Sequence, residues 1–125
     1  MDSNIILYTN DNGDVSIQVR YEDGTFWLTQ KRMAELFGVN VRTVNDHLQN
    51  IFGSGELSEE GTIRKIRIVQ NEGIRQVSRE VTFYPLDAII AVGYRVNSEQ
   101  ATRFRKWATK TLNIFTQIST KKSSD

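Results

Sequence analysis

Arg42, Thr43, Asp46, Gln49 and Asn50 recur at spacings that bring all five onto one side of an α-helix. These side chains suit the edges of DNA base pairs. Arginine can form two hydrogen bonds with guanine, an amide two with adenine, and a hydroxyl bonds either. Asp46 is the awkward member, because phosphate repels a carboxylate unless it accepts a hydrogen bond from cytosine. On the opposite side Val41, Val44, Leu48 and Ile51 fall at offsets of three, seven and ten, a stripe that would seat the helix on a core.

A polar face can meet a ligand only if the preceding chain holds the helix outward. Residues 29–53, TQKRMAELFGVNVRTVNDHLQNIFG, supply that frame as a helix-turn-helix. Thr29 is placed to cap the first helix, whose apolar stripe is Met33, Ala34, Leu36 and Phe37. Small Ala34 suits a close helix crossing. Gly38 follows where a helix C-terminus favours a left-handed backbone, and Asn40 caps the second helix. In this reading Asn40 also meets a phosphate. The competing reading of the same pattern is a helical hairpin buried in an ordinary core.

Cations that could hold a duplex come next. After a loop over residues 53–61, a hairpin over residues 62–84 carries Arg64, Lys65, Arg67, Arg75 and Arg79 against Glu72 and Glu80. Two β-leaning runs flank Asn71-Glu72-Gly73-Ile74-Arg75, and the break in alternation at Ile68-Val69 predicts a bulge or register change. As a wing, this hairpin would set the five cations on phosphates, which position a protein on DNA without specifying sequence. As a plain strand pair, the same charges would blunt an exposed edge against aggregation.

The rest of the chain is scaffold. Ile5–Thr9, then Val15, Ile17 and Val19 alternating with polar residues, then Thr25–Leu28 predict antiparallel strands over residues 5–28, turning at Asn10-Asp11-Asn12-Gly13-Asp14 and Glu22-Asp23-Gly24. Pro85 opens a short apolar helix over residues 86–94. Asn97-Ser98 starts a last helix over residues 98–118, with Gln100 placed for a capping box. Ala101, Phe104, Trp107, Ala108, Leu112, Phe115 and Ile118 keep helical spacing there, flanked by the basic stripe Arg103, Lys106 and Lys110. Trp107 and Phe115 read as core rather than as stacking platforms. The expected fold is α+β: a small N-terminal antiparallel sheet, a helix-turn-helix, a basic wing-like hairpin and two C-terminal helices. One winged-helix-like domain would span residues 1–118, with residues 119–125 a polar tail or a linker.

Composition narrows the function. The 125 residues are 38% hydrophobic and 25% charged, as in soluble globular chains. There is no long apolar run, no secretory leader pattern and no cysteine, so a soluble cytoplasmic protein without disulfides is expected. The net charge of +1 hides an asymmetry: residues 1–60 sum to −6 and residues 61–125 to +7. A basic half is the footprint of a phosphate-bearing partner, and opposite halves could also dock onto each other in a homodimer. His47 is the sole histidine, and it reads as a structural or phosphate-contacting residue rather than a catalytic base. Asp11, Asp14, Glu59 and Glu60 lie in turns and loops, and Gly53-Ser54-Gly55 lacks the remainder of any phosphate-cradling motif. The chain therefore reads as no enzyme, with no cofactor, metal or small-molecule substrate. Two classes remain: a regulatory module for double-stranded DNA, or a protein-interaction module with no nucleic-acid role.

Three segments carry a resemblance: WLTQKRMAELFGV (residues 27–39), VQNEGIRQVSREVTFYPLDAIIAVGYRVNS (69–98) and FRKWATKTL (104–112). In this order they resemble the RhuM family of virulence proteins. The last third is also similar, more loosely, to the Bro-N and KilA-N type domains of phages and large DNA viruses, through an apolar helix followed by one bearing Phe104 and Trp107. The resemblance implies a prokaryotic or phage-derived accessory protein, and it supports DNA binding only through the helix-turn-helix itself. Family members often run longer, which implies an amino-terminal domain or a shortened chain. The family name records an association with virulence and transfers no catalytic residue.

Overall fold

The computed structural model describes residues 4–10 and 12–123, and the side chains of residues 5–10 and 12–117. Asp11 of the predicted first turn, the side chain of Ile118 and the end of the expected tail at Ser124 and Asp125 lie outside the described residues.

The fold is α+β. Strands β1 (Asn4–Thr9), β2 (Ser16–Glu22) and β3 (Thr25–Leu28) precede helices α1 (Gln30–Phe37), α2 (Val41–Gly53) and α3 (Glu59–Thr62). Then come β4 (Arg64–Glu72), β5 (Arg75–Pro85), α4 (Leu86–Val96) and α5 (Ser98–Ser123). One antiparallel sheet takes the order β1-β2-β3-β5-β4. Trp27 opposite Pro85 and Leu28 opposite Tyr84 join the two hairpins into that sheet.

Alternation decides what each strand buries. Ile17 and Val19 of β2 and Phe26 and Leu28 of β3 point to the helices, while Gln18 and the exposed Ile5 and Leu7 point away. Against the inner face pack Met33, Leu36 and Phe37 of α1, Val44, Leu48 and Ile51 of α2, Ile89 and Val92 of α4, and Phe104 of α5. Trp107 is half-buried, stacked on Phe26 at 5.0 Å, and Phe115 meets Tyr21 edge-on at 4.8 Å. Both belong to the packing, as their spacing implied.

Several expectations need correction. The β4–β5 register runs without interruption from Arg64 opposite Phe83 to Glu72 opposite Arg75, so there is no bulge at Ile68-Val69. Val69 is 60% exposed. With no buried face to serve there, a break in alternation costs little and signals nothing. The tip is a two-residue turn rather than a loose one: Gly73 has φ +65° and Ile74 follows at negative φ, the arrangement of a type II′ turn. Val41 is 44% exposed, because it starts α2 at the edge of the apolar stripe. The stretch read as loop contains one helical turn, α3. The last two helices run past their expected ends, to Val96 and Ser123. The capping box at α5 is half formed: Asn97 Oδ1 accepts from the Gln100 amide, but the Asn97 amide donates to the Gly93 carbonyl, so Gln100 Oε1 gains no partner.

Candidate nucleic-acid interface

Helix α2 is held from both ends. At its start the Gly38 and Val39 amides both donate to the Ala34 carbonyl, closing α1, and the Asn40 side chain accepts from the Thr43 amide at 2.8 Å. At the other side Gln30 Nε2 donates to Asn45 Oδ1 and to the Tyr84 hydroxyl, tying α1, α2 and β5 together. Phe52 stacks on Tyr84 at 6.4 Å. With Val44, Leu48 and Ile51 fully buried, the opposite face presents Arg42, Asp46, Gln49 and Asn50 to solvent. Among the described residues Arg42, Asp46 and Gln49 make no side-chain hydrogen bond or ion pair, so their polar groups are available to a ligand. Thr43 differs: its hydroxyl donates to Asn40 Oδ1 at 3.0 Å and is half-buried. The Asn40 carbonyl is likewise committed to the cap, leaving its NH₂ outward. His47 is half-buried beside Leu48.

The hairpin sorts its cations by register. Lys65 and Arg67 share one face with Val69, whereas Arg64 and Arg79 lie on the other with Ile66 and Ile68. Arg64 is spent on the fold. Its guanidinium pairs with Glu22 and Asp23, at 2.7 Å each, and lies 4.4 Å from the centre of the Trp27 ring. Arg79 pairs with Glu72 at 2.8 Å, and Arg67 donates to the Ser78 hydroxyl at 3.1 Å. Lys65 and Arg75 are exposed and form no ion pair among the described residues. Of the five hairpin cations, these two are therefore the least committed within the molecule.

Lys31 and Arg32, which no sequence pattern marked, line a cleft of about 370 Å³ with Ile5 and Arg20 of the sheet and Ile68 and Val81 of the hairpin. Lys31 is exposed and Arg32 pairs with Glu35 at 3.3 Å. Nothing in the local sequence could place them there, since the cleft forms only when the hairpin joins β3. Among the described residues no group of three or more histidine or acidic side chains could hold a metal ion, and no helix is long and apolar enough to cross a membrane.

Residues 61–120 match the model of the Virulence protein RhuM family. That stretch takes in the hairpin, α4 and most of α5, and it leaves α1 and α2 outside. No curated protein and no solved structure matches the chain.

Proposed function

We infer that this chain, whose residues 61–120 match the model of the Virulence protein RhuM family, is a non-enzymatic DNA-binding module. In this reading α1 and α2 act as a helix-turn-helix whose second helix enters a major groove, and the β4–β5 hairpin acts as a wing along the phosphates. One observation carries the reading: α2 has a fully buried apolar face and, opposite it, the uncommitted Arg42, Asp46 and Gln49. Core packing does not require that trio, whereas base-edge recognition uses such groups. Lys65 and Arg75, with Arg67 and Lys31, supply the sequence-independent attraction to phosphate.

The reading is tested by selection from random duplexes at low salt, followed by affinity measured against salt concentration. Neutralising Z phosphates lowers the logarithm of affinity by about 0.9Z per decade of salt. An enriched sequence with a steep salt slope supports the reading, and an absence of duplex binding at low salt ends it.

The exposed apolar pair Ile5 and Leu7, 52% and 59% accessible on the outward sheet face, favours a second reading as a protein-interaction module. A partner held through that face would bind with little salt dependence, and Leu7→Lys would abolish its capture while leaving duplex affinity in place.

A further inference from the structure

We propose that Ile74, at the tip of the β4–β5 hairpin, is a wedge that inserts between base pairs from the minor groove and bends the duplex. The proposal rests on the DNA-binding reading above and adds to it a deformation of the DNA and a preference for deformable steps.

Ile74 is wholly in water, at 104% relative exposure. A single exposed aliphatic residue is common on protein surfaces, but this one has a particular place. The turn needs glycine at its first central position, which Gly73 provides, and has no need of a branched apolar residue at the second. Ile74 makes no packing contribution that would explain it. Nine paired positions separate it from the hairpin's base, roughly 31 Å at about 3.4 Å per residue, so it stands far from the core.

The residue that follows it is a cation. Arg75 adjoins it with no ion pair among the described residues, and Arg79 and Glu72 pair beneath the tip. Lys65 and Arg67 follow further down on the opposite face, Arg67 directly across from Glu80. An apolar tip on a basic two-stranded arm combines the two parts that minor-groove bending needs: charge to hold the backbones and an aliphatic wedge to separate a base step. The arm is also anchored at its base, because Arg64 is fixed to Glu22, Asp23 and Trp27. A wedge on a loose arm would follow the DNA; one on a braced arm can push against it. Since unstacking is least costly at pyrimidine–purine steps, TA and CA/TG steps are the sites the tip would favour.

The test uses end-labelled duplexes, alike except for a central TA step or its absence, with 2-aminopurine beside the step. Wild-type chain should shorten the end-to-end distance read by energy transfer and raise 2-aminopurine fluorescence on the TA duplex. Ile74→Ala should lose both signals while binding the duplex without the step within about threefold of wild type, because the side chain makes no phosphate contact. Ile74→Phe should keep them. Binding without bending by the wild type, or bending that survives Ile74→Ala, overturns the wedge and leaves the DNA reading standing. Failure to bind any duplex at low salt overturns both. If the wild type instead binds phosphatidylserine vesicles in an Ile74-dependent way and no duplex, the tip is a membrane anchor and the proposal fails.

Discussion

The Arg64 guanidinium lies 4.4 Å from the centre of the Trp27 ring while pairing with Glu22 and Asp23 at 2.7 Å. The indole N–H of Trp27 donates to the Glu22 carbonyl at 2.9 Å, and Arg20 reaches the same Glu22 carboxylate from the other side at 2.9 Å. This cluster locks the base of the β4–β5 hairpin to the β2–β3 turn. One of the five hairpin cations that the sequence offered for phosphate is thus a structural clamp.

Arg64→Ala should therefore act on stability before it acts on binding. Loss of the ring contact and of two partly exposed ion pairs predicts a cost of about 1–2 kcal/mol, read as a lower urea midpoint. Hydrogen exchange should quicken in β4 and β5 but not in α2. Arg64→Lys should recover less than half, since a lysine cannot stack and pair with two carboxylates at once. An unchanged midpoint in Arg64→Ala would refute the clamp.

Gly93 of α4 packs directly against Phe37 of α1 and Ala101 of α5. A β-carbon there would stand 2.6 Å from Phe37 Cζ and 2.7 Å from Ala101 Cβ. Alanine gains about 1 kcal/mol of helix propensity over glycine, but overpacking a closed core costs about 1–3 kcal/mol. With two neighbours inside any normal contact distance, the clash should win, and Gly93→Ala should unfold at lower denaturant than wild type. A more stable Gly93→Ala protein would show that α4 can slide outward.

Removing single charges separates the two parts of the proposed interface. Lys65→Ala and Arg75→Ala should each weaken binding to all duplexes alike and reduce the salt slope by about 0.9 for each phosphate left without its cation. Arg42→Ala should relax preference at one base position, at a cost of about 1–3 kcal/mol against the selected sequence only. Uniform weakening by Arg42→Ala would reassign that side chain to the backbone.

Tyr94 gives a pH signature. Hydrogen bonding from Thr102, and then from Arg105 at 2.9 Å, favours its phenolate and draws its pKa below the ordinary value of 10.0. The folded pKa is depressed, so the associated stability is full above the unfolded pKa and is lost as pH falls through the folded one. At neutral pH it contributes nothing. In an absorbance titration Tyr94→Phe should remove an ionisation that lies below 10.0 in the wild type, with unfolding at pH 7 almost unmoved; a titration curve unchanged below 10.0 would refute the assignment to Tyr94.

Much of this was legible in the residues themselves. The caps at Thr29 and Asn40, the Asp23-Gly24 turn and the period of Val44, Leu48 and Ile51 all act within a turn or two of chain, and each forms as its chemistry dictates. Local signals failed where packing supplied no constraint, as at Val69, or where an element's edge left the core, as at Val41. They also could not distinguish a free cation from a committed one.

By itself the sequence determined the four longer helices, the turns before β3 and α2, and the two hairpins, because hydrogen-bond closure and apolar periodicity operate between near neighbours. Tertiary structure alone decided that the hairpins share one sheet through Trp27 and Leu28, and that Arg64 turns inward to a carboxylate 42 residues away. It also left Lys65, Arg75 and Ile74 facing water. The physical reason is one of range: a charge or an apolar tip acquires its role from what lies within a few ångströms in space, and that distance is unrelated to separation along the chain.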